Sequence, residues 1–263
     1  MQEGEKMNVL TKDFLLVSDF CDRYGRWKPS HMLVAMQELA GEHSERLEVG
    51  REQVLASGAI WVLTRSELHI HRYPVFLDTV RSHTFPTAPR RTLYPRFYVF
   101  EDAQGQPVAS ASSYWAVMDL KEQHMTSLPW INERMPQNED LQRPIGYPGA
   151  ARLAEGEEQL SSYQPLYSDL DLNGHVNNTK GADWACNPLG VQTLRHQPIQ
   201  TLVLNYNREI RGEEPVDFSF RRGSDTFSLR CQRDGIAHVD VSGTLMAPGH
   251  PGAKPSPVAA LDD

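Results

Sequence analysis

The stretch Phe14-Leu-Leu-Val-Ser-Asp-Phe-Cys21 returns in weaker form as Gln164-Pro-Leu-Tyr-Ser-Asp-Leu-Asp171, 150 residues further along when the two Ser-Asp pairs are aligned. Each copy leads into a helical stretch, and each helix is followed by a run with the character of a strand. A chain that repeats one order of elements contains two similar structural units. The repeat therefore predicts two copies of one fold in tandem.

Within each unit the pattern is one helix followed by an antiparallel meander. In the first unit the helix follows Pro29 and Ser30, and its apolar residues recur at helical spacing. The predicted strands are residues 61–71, 80–85, 94–101, 108–118, 201–210, 218–221, 226–232 and 237–246. A helix with a meander behind it favours an α+β fold in which a sheet wraps around the helix.

The run 61–71 has the clearest strand pattern in the chain. Alternate residues from Val62 through Thr64 and Ser66 to Ile70 form one face, and the residues between them, including Arg65 and His69, form a polar face. Unbroken alternation of this kind predicts a strand with one buried face.

Composition limits the classes of protein to which this chain can belong. It has 263 residues, a hydrophobic fraction of 40% and a formal net charge of −8, which together favour a globular protein and argue against nucleic-acid binding. Three widely spaced cysteines suggest neither a metal site nor a disulfide framework. No apolar run approaches a membrane span, and the N-terminus lacks a signal pattern, so we expect a cytoplasmic bacterial protein.

The most polar short segment is residues 169–180, Asp-Leu-Asp-Leu-Asn-Gly-His-Val-Asn-Asn-Thr-Lys. Asp171, Asn173 and His175 alternate there, and the Asp, Asn and Gly content predicts a loop leading into a helix N-terminus. N–H groups near Gly174 are then candidates for stabilising an oxyanion. The alternative is that Asp171 or Asn173 only caps the helix and that His175 has a structural role.

The repeat serves as an internal control for this segment. With the Ser-Asp pairs aligned, Cys21 lies opposite Asp171, Arg23 opposite Asn173 and Gly25 opposite His175. The first unit therefore lacks the polar set. We expect one active site, in the second unit.

Several motifs, in the same order along the chain, resemble one enzyme family. The segment from Asp171 to Lys180 resembles the active-site segment of acyl-acyl-carrier-protein (acyl-ACP) thioesterases. Other stretches similar to that family are Ile60-Trp-Val-Leu-Thr-Arg65, Arg72-Tyr-Pro74, Asp78-Thr-Val80, Ser112-Ser-Tyr-Trp-Ala-Val-Met-Asp119 and Leu204-Asn-Tyr-Asn-Arg-Glu-Ile210. The resemblance covers roughly residues 14–246. It implies a tandem (double) hotdog fold, with two helix-wrapped antiparallel sheets. It also implies an enzyme that hydrolyses the thioester of fatty acyl-ACP by means of base-activated water.

The resemblance also assigns roles to residues. The catalytic candidates are Asp171, Asn173, His175 and Glu209, with either carboxylate as the base. The substrate-binding candidates are Gly174, Asn177, Met32, Met36 and Val62, the last three as the wall of an acyl pocket in the first unit. No metal or other cofactor is implied. Where many plant members carry a cysteine this chain has Ile210, which excludes a thiol nucleophile at that position.

We predict four segments. Residues 8–130 form the first hotdog half with the acyl pocket, 131–163 connect the halves, 164–246 form the catalytic half, and 247–263 are a disordered tail rich in proline.

The predicted partner is acyl carrier protein loaded with a fatty acyl chain, and a homodimer is an open option. Since that carrier is acidic, its docking surface should be basic. The candidates are Arg90, Arg91 and Arg96, or Arg208 and Arg211 with Arg221 and Arg222. Three alternatives remain open: an acyl-CoA thioesterase, an enoyl hydratase of the same fold, and a non-enzymatic acyl-binding protein.

Overall fold

A computed structural model describes residues 8–212 and 214–257. The α-helices are α1 (Pro29–Arg46), α2 (Arg51–Ala56), α3 (Pro129–Arg134), α4 (Lys180–Leu189) and α5 (Val191–His196). The strands are β1 (Leu10–Leu15), β2 (Ala59–Ile70), β3 (Thr79–Pro86), β4 (Leu93–Glu101), β5 (Pro107–Asp119), β6 (Met125–Thr126), β7 (Glu158–Tyr163), β8 (Ile199–Tyr206), β9 (Val216–Arg222), β10 (Thr226–Arg233) and β11 (Ile236–Leu245). Within the described ranges no helix is both long and apolar enough to cross a membrane.

The strands form one antiparallel sheet in two matching halves. The order is β1-β3-β4-β5-β2 in the first half and β8-β11-β10-β9-β7 in the second, with β6 paired to β5. The halves join where β2 pairs with β8, with Ser66 opposite Leu204. Helix α1 packs against the first half and α4 against the second, and the two helices contact each other. The chain is therefore an α+β tandem hotdog.

Strand β2 departs from the simple alternation that its sequence predicts. A β-bulge between Leu63 and Arg65 interrupts its pairing with β5, and a bulge moves the residues before it to the opposite face. Consequently Leu63, not Val62 or Thr64, is buried together with Ser66. The predicted face is correct from Ser66 to Ile70 and wrong before the bulge.

The connection between the halves is ordered and crosses the outer face of the sheet. Backbone N–H groups of residues 149–154 donate to one side chain on each of four neighbouring strands: Glu67 of β2, Asn205 of β8, Ser242 of β11 and Ser228 of β10. Strand β7 also lies within the predicted connection, where it pairs with β9. The sheet of the second half therefore begins at Glu158, six residues earlier than the predicted boundary of 164.

The tail was expected to be disordered, and over residues 247–257 this is wrong. A short 3-10 turn at Pro251–Ala253 packs against the first half, where the Ala253 carbonyl accepts a hydrogen bond from the buried guanidinium of Arg26. The same guanidinium donates to the carbonyls of Leu194 and Arg195, both at 2.8 Å. Arg26 thus joins the tail, α5 and the first half. Residues 258–263 lie outside the described part of the chain.

Replacing Arg26 should destabilise the whole chain. Arg26→Leu removes three hydrogen bonds and leaves one buried and two partly buried carbonyls without this donor, so we expect the free energy of unfolding to fall by roughly 2–5 kcal/mol. Arg23→Leu is the matched control, because Arg23 is exposed and should change stability by only about 0.5 kcal/mol. Chemical denaturation measures both. Equal stability of the two variants would show that Arg26 does not hold the tail in place.

Candidate active site

Residues 170–176 form a tight loop that Asp171 organises. Its ends pair as an isolated bridge between Leu170 and Val176, and the Asp171 N–H donates to the His175 carbonyl at 2.7 Å. The Asp171 carboxylate accepts the backbone N–H groups of Asn173 at 2.8 Å and of His175 at 3.3 Å. Gly174 turns the chain with a φ of +72°, which favours glycine. Asp171 therefore fixes the positions of the two residues that follow it.

The loop is held beside the segment that follows β8, and this brings His175 to Glu209. The Val176 N–H donates to the Ile210 carbonyl at 2.9 Å. His175 Nδ1 then lies 3.0 Å from Glu209 Oε2, within hydrogen-bonding distance. Arg211 donates from Nε, at 2.7 Å, and from Nη2 to the other carboxylate oxygen. Glu209 is thus held between an imidazole and a guanidinium.

The Asn173 side chain lies between two charged neighbours. Its Nδ2 is 3.4 Å from Asp171 Oδ2, and its Oδ1 accepts a hydrogen bond of 2.8 Å from Arg51 Nη2. Arg51 is the first residue of α2 and belongs to the first half of the chain. No pattern in the sequence indicated this contact, because 122 positions separate the two residues.

One expectation for this loop needs correction, and another stays a prediction. Helix α4 starts at Lys180, six residues after Gly174, and the Gly174 N–H donates to the Asp171 carbonyl at 3.0 Å. That N–H is therefore engaged within the loop and is not oriented toward an oxyanion. The Asn177 side chain accepts hydrogen bonds from the N–H and hydroxyl of Thr179, which forms the turn before α4 and does not itself indicate contact with substrate.

Asp169, next to this loop, anchors it to α4. Its carboxylate is 5% exposed as a residue and contacts the Leu166 N–H, the Tyr163 hydroxyl and the Lys180 ammonium. Burial opposes ionisation of this group, but the three donors together hold its pKa below the usual value. Asp169 therefore stays charged, and it fixes the direction in which α4 leaves the loop.

The first half contains a loop with the same backbone, offset by 149 positions and not by 150. The Asp22 N–H donates to the Arg26 carbonyl, and the Asp22 carboxylate accepts the N–H groups of Tyr24 and Arg26. Gly25 has a φ of +70° and a bridge joins Cys21 to Trp27. The alignment on the Ser-Asp pairs was therefore wrong by one residue, and Asp22, not Cys21, corresponds to Asp171.

With the corrected offset, the first half keeps the loop but not its reactive groups. Tyr24 stands at the place of Asn173 and Arg26 at the place of His175. The Trp27 N–H donates to the Pro74 carbonyl as Val176 does to Ile210, which puts Tyr73 at the place of Glu209. The Arg26 guanidinium carbon lies 5.9 Å from the centre of the Tyr73 ring. Both side chains donate hydrogen bonds to backbone carbonyls of the second half. The shared aspartate therefore shapes the loop in both halves, while the groups suited to acid–base chemistry lie only in the second.

A small apolar cavity lies between α1 and the centre of the sheet. Its volume is about 10 Å³, and its lining consists of Leu33, Met36, Gln37, Leu63, Ser66, Tyr98, Ser113, Trp115 and Tyr206. Of the three predicted pocket residues only Met36 borders this cavity. Met32 is fully buried in the surrounding core, and the bulge in β2 puts Leu63 in the place expected for Val62.

The two predicted arginine clusters are dispersed. In the first, Arg96 is buried, where it donates to His43, while Arg90 stacks on Tyr147. In the second, Arg221 pairs with Glu158 and Arg222 donates to Thr193. The other two arginines of the second cluster, Arg208 and Arg211, are both exposed and flank Glu209 in the sequence.

The chain matches two domain families that describe one kind of enzyme. Residues 7–130 match the acyl-ACP thioesterase N-terminal domain, and residues 153–242 match the C-terminal domain. A chloroplastic palmitoyl-acyl carrier protein thioesterase of Cuphea hookeriana is 29% identical over 165 residues, which are 60% of this chain and 39% of that protein. The chain thus spans well under half the length of such relatives.

Solved structures agree on the fold. An acyl-ACP thioesterase from Bacteroides thetaiotaomicron superposes with a TM-score of 0.81 at 18% identity, covering 93% of this chain and all of that one. A 12:0-ACP thioesterase from Umbellularia californica gives 0.75 at 17% identity, with 93% and 99% covered. The two domain matches in sequence order, the tandem hotdog fold and the paired loops lead to one conclusion: the chain belongs to the acyl-ACP thioesterase family.

Proposed function

We propose that this protein hydrolyses the thioester of fatty acyl-ACP and releases a free fatty acid. The observation that carries the proposal is the contact between His175 and Glu209 beside the Asp171 loop, in a chain of this family. An imidazole held by a carboxylate is suited to accept and return a proton at neutral pH. The first half has Arg26 and Tyr73 at these positions, so one chain carries one such site.

In the proposed mechanism His175 is the base and Glu209 its partner. A proton on Nδ1 faces the carboxylate, so Nε2 is the acceptor that faces the water. The water oxygen adds to the thioester carbonyl carbon while its proton passes to Nε2. The carbon–sulfur bond then breaks and the departing sulfur takes that proton, which leaves a fatty acid, a carrier thiol and a neutral His175. Of the two carboxylates considered for the base, Glu209 orients the imidazole and stabilises the charge that His175 gains when it takes the proton, and Asp171 shapes the loop.

Asn173 is the proposed donor to the thioester carbonyl. Its amide carries two N–H bonds, one of which is directed toward Asp171, and the other is assigned to the oxygen that becomes negative as water adds. An oriented donor at that oxygen lowers the barrier, and losing one costs about 10²- to 10³-fold in rate. This role replaces the one that the sequence suggested for the Gly174 N–H.

A cysteine nucleophile does not fit the structure. Burial raises the pKa of Cys21 to about 11 and that of Cys186 and Cys231 to about 12. Such thiols stay protonated at neutral pH and are poor nucleophiles. Ile210 occupies the position at which a thiol would lie next to Glu209, and it is buried. Water is therefore the proposed nucleophile.

The acyl chain is assigned to the first half of the molecule. The cavity beside Met36 and Leu63 is apolar and reaches Tyr206 at the end of β8, three residues before Glu209. It is much smaller than a fatty acyl chain, so Met36 and its neighbours must move apart when the substrate enters. Methionine suits such a wall because it is flexible.

The partner and the location belong to the same proposal. The partner is acyl carrier protein with its fatty acyl chain, and a homodimer is an arrangement that the proposal leaves to measurement. The three free thiols are consistent with a reducing compartment such as the cytoplasm.

The proposed activity is tested with matched panels of acyl-ACP and acyl-CoA substrates. We expect free fatty acids from acyl-ACP at a higher kcat/KM than from acyl-CoA of the same chain length, and no fatty acid with His175→Ala beyond about 1% of the normal rate. Gas chromatography of the released acids gives both rate and chain length. A preference for acyl-CoA would show that the substrate is acyl-CoA and not acyl-ACP. If the protein hydrolysed neither, the proposal would be overturned.

The roles of Glu209 and Arg211 can be separated with one double variant. In Glu209→Gln only one amide oxygen remains, and Arg211 should take it, so the amide N–H faces His175 and favours the wrong tautomer. We expect kcat to fall at least about 10²-fold. Removing Arg211 as well frees that oxygen for His175, so Glu209→Gln with Arg211→Ala should be more active than Glu209→Gln alone. If Glu209 itself took the proton from water, the double variant would be no better than the single one.

The acyl cavity is tested with two methionines one helical turn apart. Met36→Ala enlarges the cavity, so the products should shift toward longer acids. Each added methylene is worth about 1–3 kcal/mol of discrimination. Met32→Ala is the control, since it leaves a void in the surrounding core and should lower stability by roughly 2–5 kcal/mol with unchanged product ratios. The two measurements are the product profile and the melting temperature. Unchanged ratios in a folded Met36→Ala protein would remove this cavity from the proposal.

A further inference from the structure

Arg51 is the one side chain of the first half that the structure joins to the Asn173 amide by a described hydrogen bond. We infer that Arg51 is a positioning residue for the reaction: it fixes which way the Asn173 amide faces, so that an N–H of Nδ2 is presented to the thioester carbonyl. The inference rests on the proposed function and adds a residue from outside the catalytic half of the chain.

The charges around Asn173 leave only one favourable orientation of its amide. A guanidinium has donors and no acceptor, so it can bond only to the Asn173 oxygen. An ionised carboxylate has acceptors and no donor, so Asp171 can bond only to Nδ2. The two neighbours therefore agree, and a flipped amide would lose both bonds. Without Arg51 only the longer contact of 3.4 Å with Asp171 would favour the active orientation.

The position of Arg51 is itself fixed by the fold. The Arg51 N–H donates to Glu45 Oε1 at 2.9 Å, so that the last turns of α1 hold the start of α2. Gly50 permits this approach, because a Cβ at that position would overlap the Glu45 carboxylate. Val54, one turn further along α2, is buried in an apolar cluster with Val49 and Ala59. A helix anchored at both points directs the Arg51 side chain toward the loop of the other half.

Arg51 and Asn173 are exposed, and a hydrogen bond between exposed groups contributes little to stability. The same bond gains strength when a substrate covers it and excludes water. This makes its effect on the reaction larger than its effect on folding. A rival role for Arg51 is that it binds the acidic surface or the phosphate of the carrier, and that role predicts different kinetics.

The experiment uses two substrates and three variants. The substrates are an acyl-ACP and an acyl-N-acetylcysteamine thioester of the same chain length, which lacks both carrier and phosphate. The variants are Arg51→Ala, Arg51→Lys and Arg81→Ala. Arg81 is the matched control, because it is an exposed arginine that pairs with Asp13 at the outer edge of the first half, far along the sheet from β8.

With Arg51→Ala we expect kcat to fall roughly 10-fold on both substrates with KM nearly unchanged. This is less than the roughly 10²-fold loss that a misplaced group can cause, because the contact with Asp171 still favours the active orientation. Arg51→Lys, which keeps one donor, should recover part of the rate, and Arg81→Ala should match the wild type. Adding Arg51→Ala to Asn173→Ala should cause no further loss, because a positioning residue acts only through the group it positions.

Three outcomes would overturn the inference. A loss confined to KM for acyl-ACP that grows smaller with added salt would assign Arg51 to carrier docking. A full additional loss on top of Asn173→Ala would show that Arg51 acts independently of that amide. Normal kinetics of Arg51→Ala on both substrates would show no role at all. A wild-type protein that hydrolyses neither substrate would instead refute the proposed function, so the two failures are distinguishable.

Discussion

The arrangement of the candidate site depends on the way β2 pairs with β8. Because the central strands of the two halves share one ladder of hydrogen bonds, the sheet is continuous and α1 and α4 contact each other on it. The segment after β8 then carries Glu209 to His175, and α2, directly before β2, brings Arg51 to Asn173. A site built on rigid elements is more accurately arranged than one built on loops alone. The fusion of two sheets is what makes groups from both halves meet.

The loops of Asp22 and Asp171 share the groups that shape their backbone and differ in their other polar side chains. Asp22 and Asp171 accept the same two N–H groups in their own loops, and glycine takes the same left-handed position in both. These features therefore belong to the fold. Asn173, His175 and Glu209 have Tyr24, Arg26 and Tyr73 at the matching places. A comparison within one chain thus separates the groups that both loops share from those that differ between them.

The sequence predicts eight of the eleven described strands and the loop at residues 170–176, since alternation and turn residues act over short distances, but it misses β1, β6 and β7. It misses features that depend on backbone hydrogen bonds. Cys21 bonds back to Ser18, whereas Leu170 bonds back to Tyr167, so the two serines that align as letters occupy different turn positions. The bulge beside Thr64 likewise leaves no mark in the hydrophobic pattern. Arg51 could not be found because its partner lies in the other half. The packing of the tail could not be found because the Ala253 carbonyl and its donor Arg26 are 227 positions apart.

The loop of the first half limits how a second site could be built into this chain. Its backbone matches that of residues 170–176. Three substitutions, at positions 24, 26 and 73, would therefore give it the side chains found at Asn173, His175 and Glu209. However, the tail and the end of α5 already pack against this loop, because Arg26 donates hydrogen bonds to carbonyls of both. A variant with two such sites would have to lose these hydrogen bonds, and with them the anchoring of residues 251–253. Of the two matching loops, the first therefore holds α5 and the tail in place through Arg26, and the second carries the contact between His175 and Glu209.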